Sequence, residues 1–234
     1  MLTLPQSIKY MSIANSLKSI IAELPDNVTL VAISKTHPPE VVMEVYNAGQ
    51  RVFGENKVQE LVAKHEELPK DIEWHMVGHL QTNKVKYIAP FVHLIHSVDS
   101  LKLLKEINKQ AKKADRQINC LLQVHIAEED TKFGFSVAEL KEMLDSDTFA
   151  QLSHVKVVGL MGMATFTDNT EQVRREFRSL SNLYADLKAT YFSSSDFSIL
   201  SMGMSGDYSI AIQEGSTMVR IGSSIFGERF YGNK

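Results

Sequence analysis

A single cysteine, Cys120, excludes an intrachain disulfide. It lies in the apolar run Cys120-Leu121-Leu122-Gln123-Val124, so a buried, inert thiol in a reducing compartment is the expectation. Basic excess is missing as well. Lys and Arg number 25 against 28 Asp and Glu, a formal net charge of −3, and no basic stripe stands out to follow a nucleic-acid backbone. No stretch approaches the roughly 20 apolar residues of a membrane-spanning helix. Pro5 to Leu24 carries Lys9 and Lys18 and lacks the unbroken apolar centre of a secretory signal. A cytoplasmic protein with neither nucleic-acid nor membrane partners follows. No linker or shift in composition divides the 234 residues, 44% of them hydrophobic, so residues 1–234 are expected to form one domain.

What is present is a regular alternation of short apolar runs and amphipathic stretches. Ile8, Met11, Leu17, Ile20, Ile21 and Leu24 recur at helical spacing before Pro25-Asp26-Asn27 breaks the pattern. Strands are then expected over 29–35, 51–55, 72–78, 91–98, 119–126, 155–163, 197–204 and 218–226. Helical segments separate them, with Pro38 or Pro39, Asp99 or Ser100, and Ser136 as starts. Ala127 to Lys132 reads as a polar loop and Ser193 to Asp196 as a turn. Eight strands with seven helices between them and one in front imply a parallel sheet. In this length they favour an α/β fold of the closed (β/α)8, or TIM-barrel, kind with an additional N-terminal helix. An open doubly wound sheet would usually place a glycine-rich turn after its first strand. Here that turn holds Lys35 and two prolines.

The functional face of such a barrel is the carboxyl end of its strands. Lys35 ends the apolar run Leu30-Val31-Ala32-Ile33-Ser34. It is a solvated strand end, a salt-bridge partner, or an amine activated for Schiff-base chemistry. Glu55-Asn56 and Gly78-His79 end the second and third strands. Ser201 to Asp207 runs from a strand through small polar residues into a helix, whose first amides suit a phosphate. Ser205 is then a phosphate ligand or only a helix cap. Arg220, Gly222 and Ser223 are read into the eighth strand, with Arg220 and Gly222 on one side of it. Arg220 could clamp a phosphate, pair with Glu55 or Glu214, or donate to a ring nitrogen. The histidine spacings, His75 with His79 and His93 with His96, offer no metal cluster on strands. Met161, Met163, Met202 and Met204 are expected to pack in the core, and Glu128-Glu129-Asp130 to be solvated.

A strand-end lysine opposite a phosphate cradle suggests pyridoxal 5′-phosphate. The chain also resembles a known family. The resemblance is carried by Ala32-Ile33-Ser34-Lys35-Thr36, Phe53-Gly54-Glu55-Asn56 with Val58-Gln59-Glu60, and Trp74-His75 with Gly78-His79-Leu80-Gln81-Thr82-Asn83-Lys84. Leu200 to Ser205, and Gly215 to Gly222 with Ile225-Phe226-Gly227, complete it. These segments look like the pyridoxal-phosphate homeostasis proteins. The resemblance implies a fold-type III barrel similar to the N-terminal domain of alanine racemase, with Lys35 as the Schiff-base lysine. It implies phosphate contacts from Ser205, Gly222 and Ser223, with Arg220 facing the pyridine nitrogen and Asn56 near the cofactor. His79 to Lys84 would lie close by. The implied role is a pyridoxal-phosphate carrier serving vitamin B6 homeostasis, with apo forms of dependent enzymes as acceptors and no catalysis of its own; a monomer is the separate expectation, on which the sequence pattern itself is silent. The competing readings are an amino-acid racemase and a Schiff-base aldolase. A racemase of this kind takes its second base from a further β-domain, for which the residues after the eighth strand leave no room.

Overall fold

The computed structural model describes residues 12–128, 133–192 and 195–227. Eight parallel strands close into a barrel in sequence order: β1 (Thr29–Ile33), β2 (Val52–Glu55), β3 (Glu73–Met76), β4 (Leu94–Val98), β5 (Ile118–Gln123), β6 (Val155–Met161), β7 (Ile199–Met204) and β8 (Met218–Ile221). β8 returns to β1, with Thr29 opposite Met218 and Ala32 opposite Ile221. The expected (β/α)8 architecture is therefore the one observed.

The outer layer is α1 (Ile13–Glu23), α2 (Pro39–Asn47), α3 (Val58–Glu67), a 3-10 turn (Thr82–Lys84) leading into α4 (Val85–Ile88), α5 (Leu101–Lys113), α6 (Val137–Leu144), α7 (Asp147–Ala150), α8 (Thr170–Thr190), α9 (Tyr208–Gln213) and α10 (Ser223–Phe226). Two of these were not expected. α7 adds a second helix to the crossover from β5 to β6, and α10 follows β8. Among the described residues α1 starts after its cap Ser12. Ile8 and Met11, Glu129-Asp130, Ser193-Ser194 and the tail from Glu228 lie outside the described residues.

Local chemistry sets the helix starts. Pro39 occupies the first turn of α2, where its missing N–H costs nothing. Ser100 accepts from the Leu103 N–H, and Ser136 forms a reciprocal capping box with Glu139.

Alternation along the strands sorts side chains into two layers. Val31, Ile33, Leu94, Leu121, Val158, Met161 and Met218 meet inside the barrel. Ala32, Phe53, Trp74, Ile95, Leu122, Leu160 and Val219 face outward and pack beneath the helices with Leu61, Leu104, Phe177 and Leu187. Cys120 belongs to this outer layer and is fully buried; burial pushes its thiol far above the ordinary range, so it stays protonated. Met161 and Met202 are buried as expected, whereas Met204 at the mouth is 37% exposed.

Most strands stop earlier than their apolar runs. β1 ends at Ile33, so Lys35 stands in the turn beyond it. β3 ends at Met76, before Gly78-His79. The largest correction is at β8, which ends at Ile221. Gly222 leaves the extended region (φ −121°, ψ −75°), and Ser223 to Phe226 coil into α10. Gly222 and Ser223 thus leave the strand at its carboxyl end, and Ser223 opens a helix.

Candidate functional site at the barrel mouth

The turn carrying Lys35 is fastened from the helix side. The Ser34 hydroxyl donates to Glu55 Oε1 at 2.6 Å, and Lys64 Nζ donates to the Ser34 carbonyl at 2.7 Å. Lys64 also pairs with Glu55, and both side chains are almost wholly buried. Burial pushes the Glu55 carboxyl above its usual value; Lys64 and Ser34 pull it back in part. Thr36, next to Lys35, takes the left-handed conformation at φ 68°, unfavourable for a β-branched residue. Its N–H is held by Glu60 Oε2 at 2.9 Å, and His37 stacks on Phe226 of α10 at 4.8 Å. Lys35 itself is half-buried.

The β1–β8 seam brings the second half of the site to this turn. A methyl group at Gly222 would lie 3.1 Å from the Ile33 carbonyl oxygen and 3.3 Å from Ile33 Cβ, two residues before Lys35. Glycine is what lets the chain approach so closely. The Gly222 N–H donates to Ser205 Oγ at 3.2 Å, joining the loops after β7 and β8. Gly206 beside it faces open space, and the start of α10 at Ser223 adjoins. The β7–β8 register shifts between Ser201 and Met204, an irregularity of the kind that re-aims residues beside functional sites. Ser205, Gly222 and Ser223 therefore line one lip of the mouth with Lys35. Asn56, half-buried after β2, stands against Gly78, where any side chain would collide with the Asn56 backbone. His79 lies beyond, 3.2 Å from an Asp99 carboxylate oxygen and stacked on Phe133.

Arg220 points into the barrel and is 4% exposed. It pairs with neither acid considered from the sequence: Glu55 holds Lys64, and Glu214 holds Arg174 and Arg178. Nη1 donates to the carbonyl and hydroxyl of Ser201 at 2.9 and 2.7 Å, and Nη2 to the Gly162 carbonyl at 3.0 Å. A guanidinium has five N–H groups, so this arrangement leaves Nε and one Nη2 hydrogen for a ligand. Burial brings its pKa down to about 10, still a cation at neutral pH.

Below Arg220 runs a chain that sequence spacing did not reveal. Ser201 Oγ is 3.1 Å from His96 Nδ1, and His96 Nε2 is 3.0 Å from His75 Nδ1. Both imidazoles are neutral, because burial first, then nearby positive charge, pulls their pKa values down, to about 3 for His75. These residues sit on β3, β4 and β7, so only strand pairing brings them together. A surface groove of about 510 Å³ lies elsewhere, between α2 and α3 along Met43, Leu68 and Pro69. It has none of the convergent donors of the mouth, so the chemistry, not the volume, locates the site.

Residues 8–230 match the alanine racemase N-terminal domain family. A pyridoxal phosphate homeostasis protein from Aquifex aeolicus is 46% identical over 203 residues, covering 86% of this chain and 87% of its own. The chain belongs to this family. The Escherichia coli pyridoxal phosphate homeostasis protein is 38% identical over 90% of this chain and 89% of its own. Among solved structures, PipY of Synechococcus elongatus with PLP bound superposes with a TM-score of 0.85 at 36% identity, over 92% of this chain and 100% of that one. Alanine racemase from Bartonella henselae, at 14% identity and TM-score 0.70, shares the barrel over 94% of this chain and 60% of its own. That likeness concerns the fold.

Family membership agrees with the layout of the mouth. The β1–β8 seam sets the turn that carries Lys35 beside the Ser205–Gly222 lip. No helix among the described residues is long and apolar enough to cross a membrane.

Proposed function

We propose that this chain binds pyridoxal 5′-phosphate and serves its homeostasis rather than catalysing a reaction with it. The observation that carries the reading is the seam: β1–β8 pairing brings the turn that carries Lys35 and the glycine-opened lip at Ser205, Gly222 and Ser223 to one edge of the mouth. The residues present fit the cofactor. Gly206 faces open space, Ser205 and Ser223 add hydroxyls, and the start of α10 contributes N–H groups for a phosphate, while the Gly222 N–H holds Ser205 in place.

Lys35 would hold the cofactor covalently as a Schiff base. The bound aldehyde supplies an electrophilic carbon for that linkage. Arg220 would offer Nε or Nη2 to the pyridine nitrogen while keeping its own proton, since its pKa near 10 leaves it a donor and not an acid at neutral pH. A ring nitrogen left unprotonated stores little carbanion charge, which suits holding over turnover. Asn56 would lie beside the ring. The name of the relatives and the bound PLP of the PipY structure support the same reading. A monomeric cytoplasmic carrier that passes its ligand to apo-enzymes completes the proposal.

The test is spectroscopic. The purified protein should carry a visible absorbance band that borohydride bleaches, leaving a pyridoxyl group on the Lys35 peptide by mass spectrometry. Absence of that adduct would refute the linkage. Racemic product with α-carbon deuterium exchange from an amino acid would refute the non-catalytic role.

A further inference from the structure

At the amino-terminal end of β3 and β4, away from the mouth, Glu73, His75 and His93 each offer one ligand atom, and the three atoms lie within 4.8 Å of one another. β3–β4 pairing creates the group: His93 donates its backbone N–H to Trp74 just before β4, beside Glu73 and His75 on β3. His93 Nε2 is 3.5 Å from Glu73 Oε2, and the His75 and His93 rings lie 5.7 Å apart with 18° between their planes.

A second observation marks this group as more than an exposed ion pair. His75 is 2% exposed, and its Nε2 is buried with no hydrogen-bond partner. Buried polar atoms are nearly always paired, and an orphan asks for an explanation. Nδ1 of the same ring is committed to His96, the next inward residue toward the mouth. With Nδ1 taken, Nε2 is the His75 nitrogen left to serve as a ligand beside Glu73 and His93.

We propose that Glu73, His75 Nε2 and His93 bind one divalent transition-metal ion of the zinc class. Two imidazoles and a carboxylate form a donor set zinc accepts, with a fourth position open to water. Glu73 and His93 are about half-exposed, so the ion reaches them from solvent, while His75 forms the buried wall. Ligand atoms around tetrahedral zinc lie about 3.3 Å apart, a contraction that rotation of the two half-exposed side chains supplies. The second shell is already built. A ligating histidine normally donates its other ring N–H to a fixed acceptor, and His96 Nε2 is that acceptor here. Binding therefore sets His75 as the Nδ1–H tautomer and passes a matching choice to His96. The site lies at the far end of the barrel from Lys35 and does not depend on the cofactor reading.

The experiment is titration of untagged, chelator-treated full-length protein with Co(II), followed by its visible ligand-field absorption, with Zn(II) as competitor. One equivalent of Co(II) should enter with an intense tetrahedral-type spectrum, and Zn(II) should displace it. Glu73→Gln and His93→Ala, chosen because both side chains are half-exposed and tolerate change, should each weaken uptake at least roughly tenfold. Zn(II) should also move the imidazole ¹⁵N signals of His75 and His96, a response that a purely structural histidine pair would not give. Failure to bind Co(II), or unchanged uptake in the Glu73→Gln/His93→Ala double variant, would overturn the proposal.

Discussion

Replacing Lys64 with Met probes the support beneath Lys35. Lys64 and Glu55 are 6% and 0% exposed at their side chains, and Lys64 also holds the Ser34 carbonyl. Met keeps the apolar stem and removes the cation. Glu55 then keeps only Ser34 as partner, with Oε2 already unsatisfied. Leaving one member of a buried pair uncompensated costs about 3–5 kcal/mol. In a chain of this size that lowers the melting temperature by about 10 °C, at roughly 2–4 °C per kcal/mol. The loss must depend on pH. The Glu55 carboxyl is already raised by burial, and losing Lys64 raises it further. A carboxyl whose folded pKa exceeds its unfolded value binds its proton more tightly when folded. Stability therefore falls as pH rises from the unfolded toward the folded pKa, and the variant is closest to the parent below the unfolded value. Urea denaturation at pH 5 and pH 8 measures this, with the larger deficit expected at pH 8. Adding Glu55→Gln should recover much of the loss, because the stranded charge is gone. An equal deficit at both pH values, or a double variant no more stable than Lys64→Met, would refute the reasoning.

Gly222→Ala places a methyl 3.1 Å from the Ile33 carbonyl oxygen, so the lip must shift by a few tenths of an ångström. Pyridoxal-phosphate affinity, followed by equilibrium dialysis, should fall at least roughly tenfold, about 1.4 kcal/mol, with the fold intact by circular dichroism. Arg220→Gln should change the absorbance of bound cofactor and speed its loss on dialysis; identical spectra and retention would remove Arg220 from the site. Glu176 is buried and accepts from the Thr165 N–H and hydroxyl, the Glu128 N–H and Gln172. Burial opposes its ionisation, but these bonds win and hold it below the usual carboxylate range. Its contribution is present above the unfolded pKa and is lost as pH falls through the folded one. Glu176→Gln should thus cost about 1–3 kcal/mol at pH 7 and little in strong acid, by denaturant titration.

Periodicity is a local signal, and it carried the eight strands and most helices because each buries a patterned face. Strand ends were less legible. Apolar residues continue past Ile221 through Ile225 and Phe226, but the backbone turns at Gly222 and the same side chains are buried from a helix instead. Ser205 and Gly222 stood out as small residues at the ends of consecutive strands, and the contact between them follows from the β7–β8 pairing. Lys64 was not: one lysine within an amphipathic helix reads as solvated, and its partner Glu55 lies on a different element. His75, His96, Ser201 and Arg220 were each visible as strand residues, but their contact depends on which strands face one another across a closed barrel. The Glu73–His93 pairing was hidden for the same reason.

The β1–β8 seam also orders events while the chain is being made. Lys35 leaves the ribosome early, but the lip at Gly222 is nearly the last part of the described chain to be synthesised, and the strands that join them pair across almost its whole length. No partial product can present both halves of the mouth. A ligand held there cannot template early folding; it recognises only a finished barrel, and its capture reports that the last strand has docked.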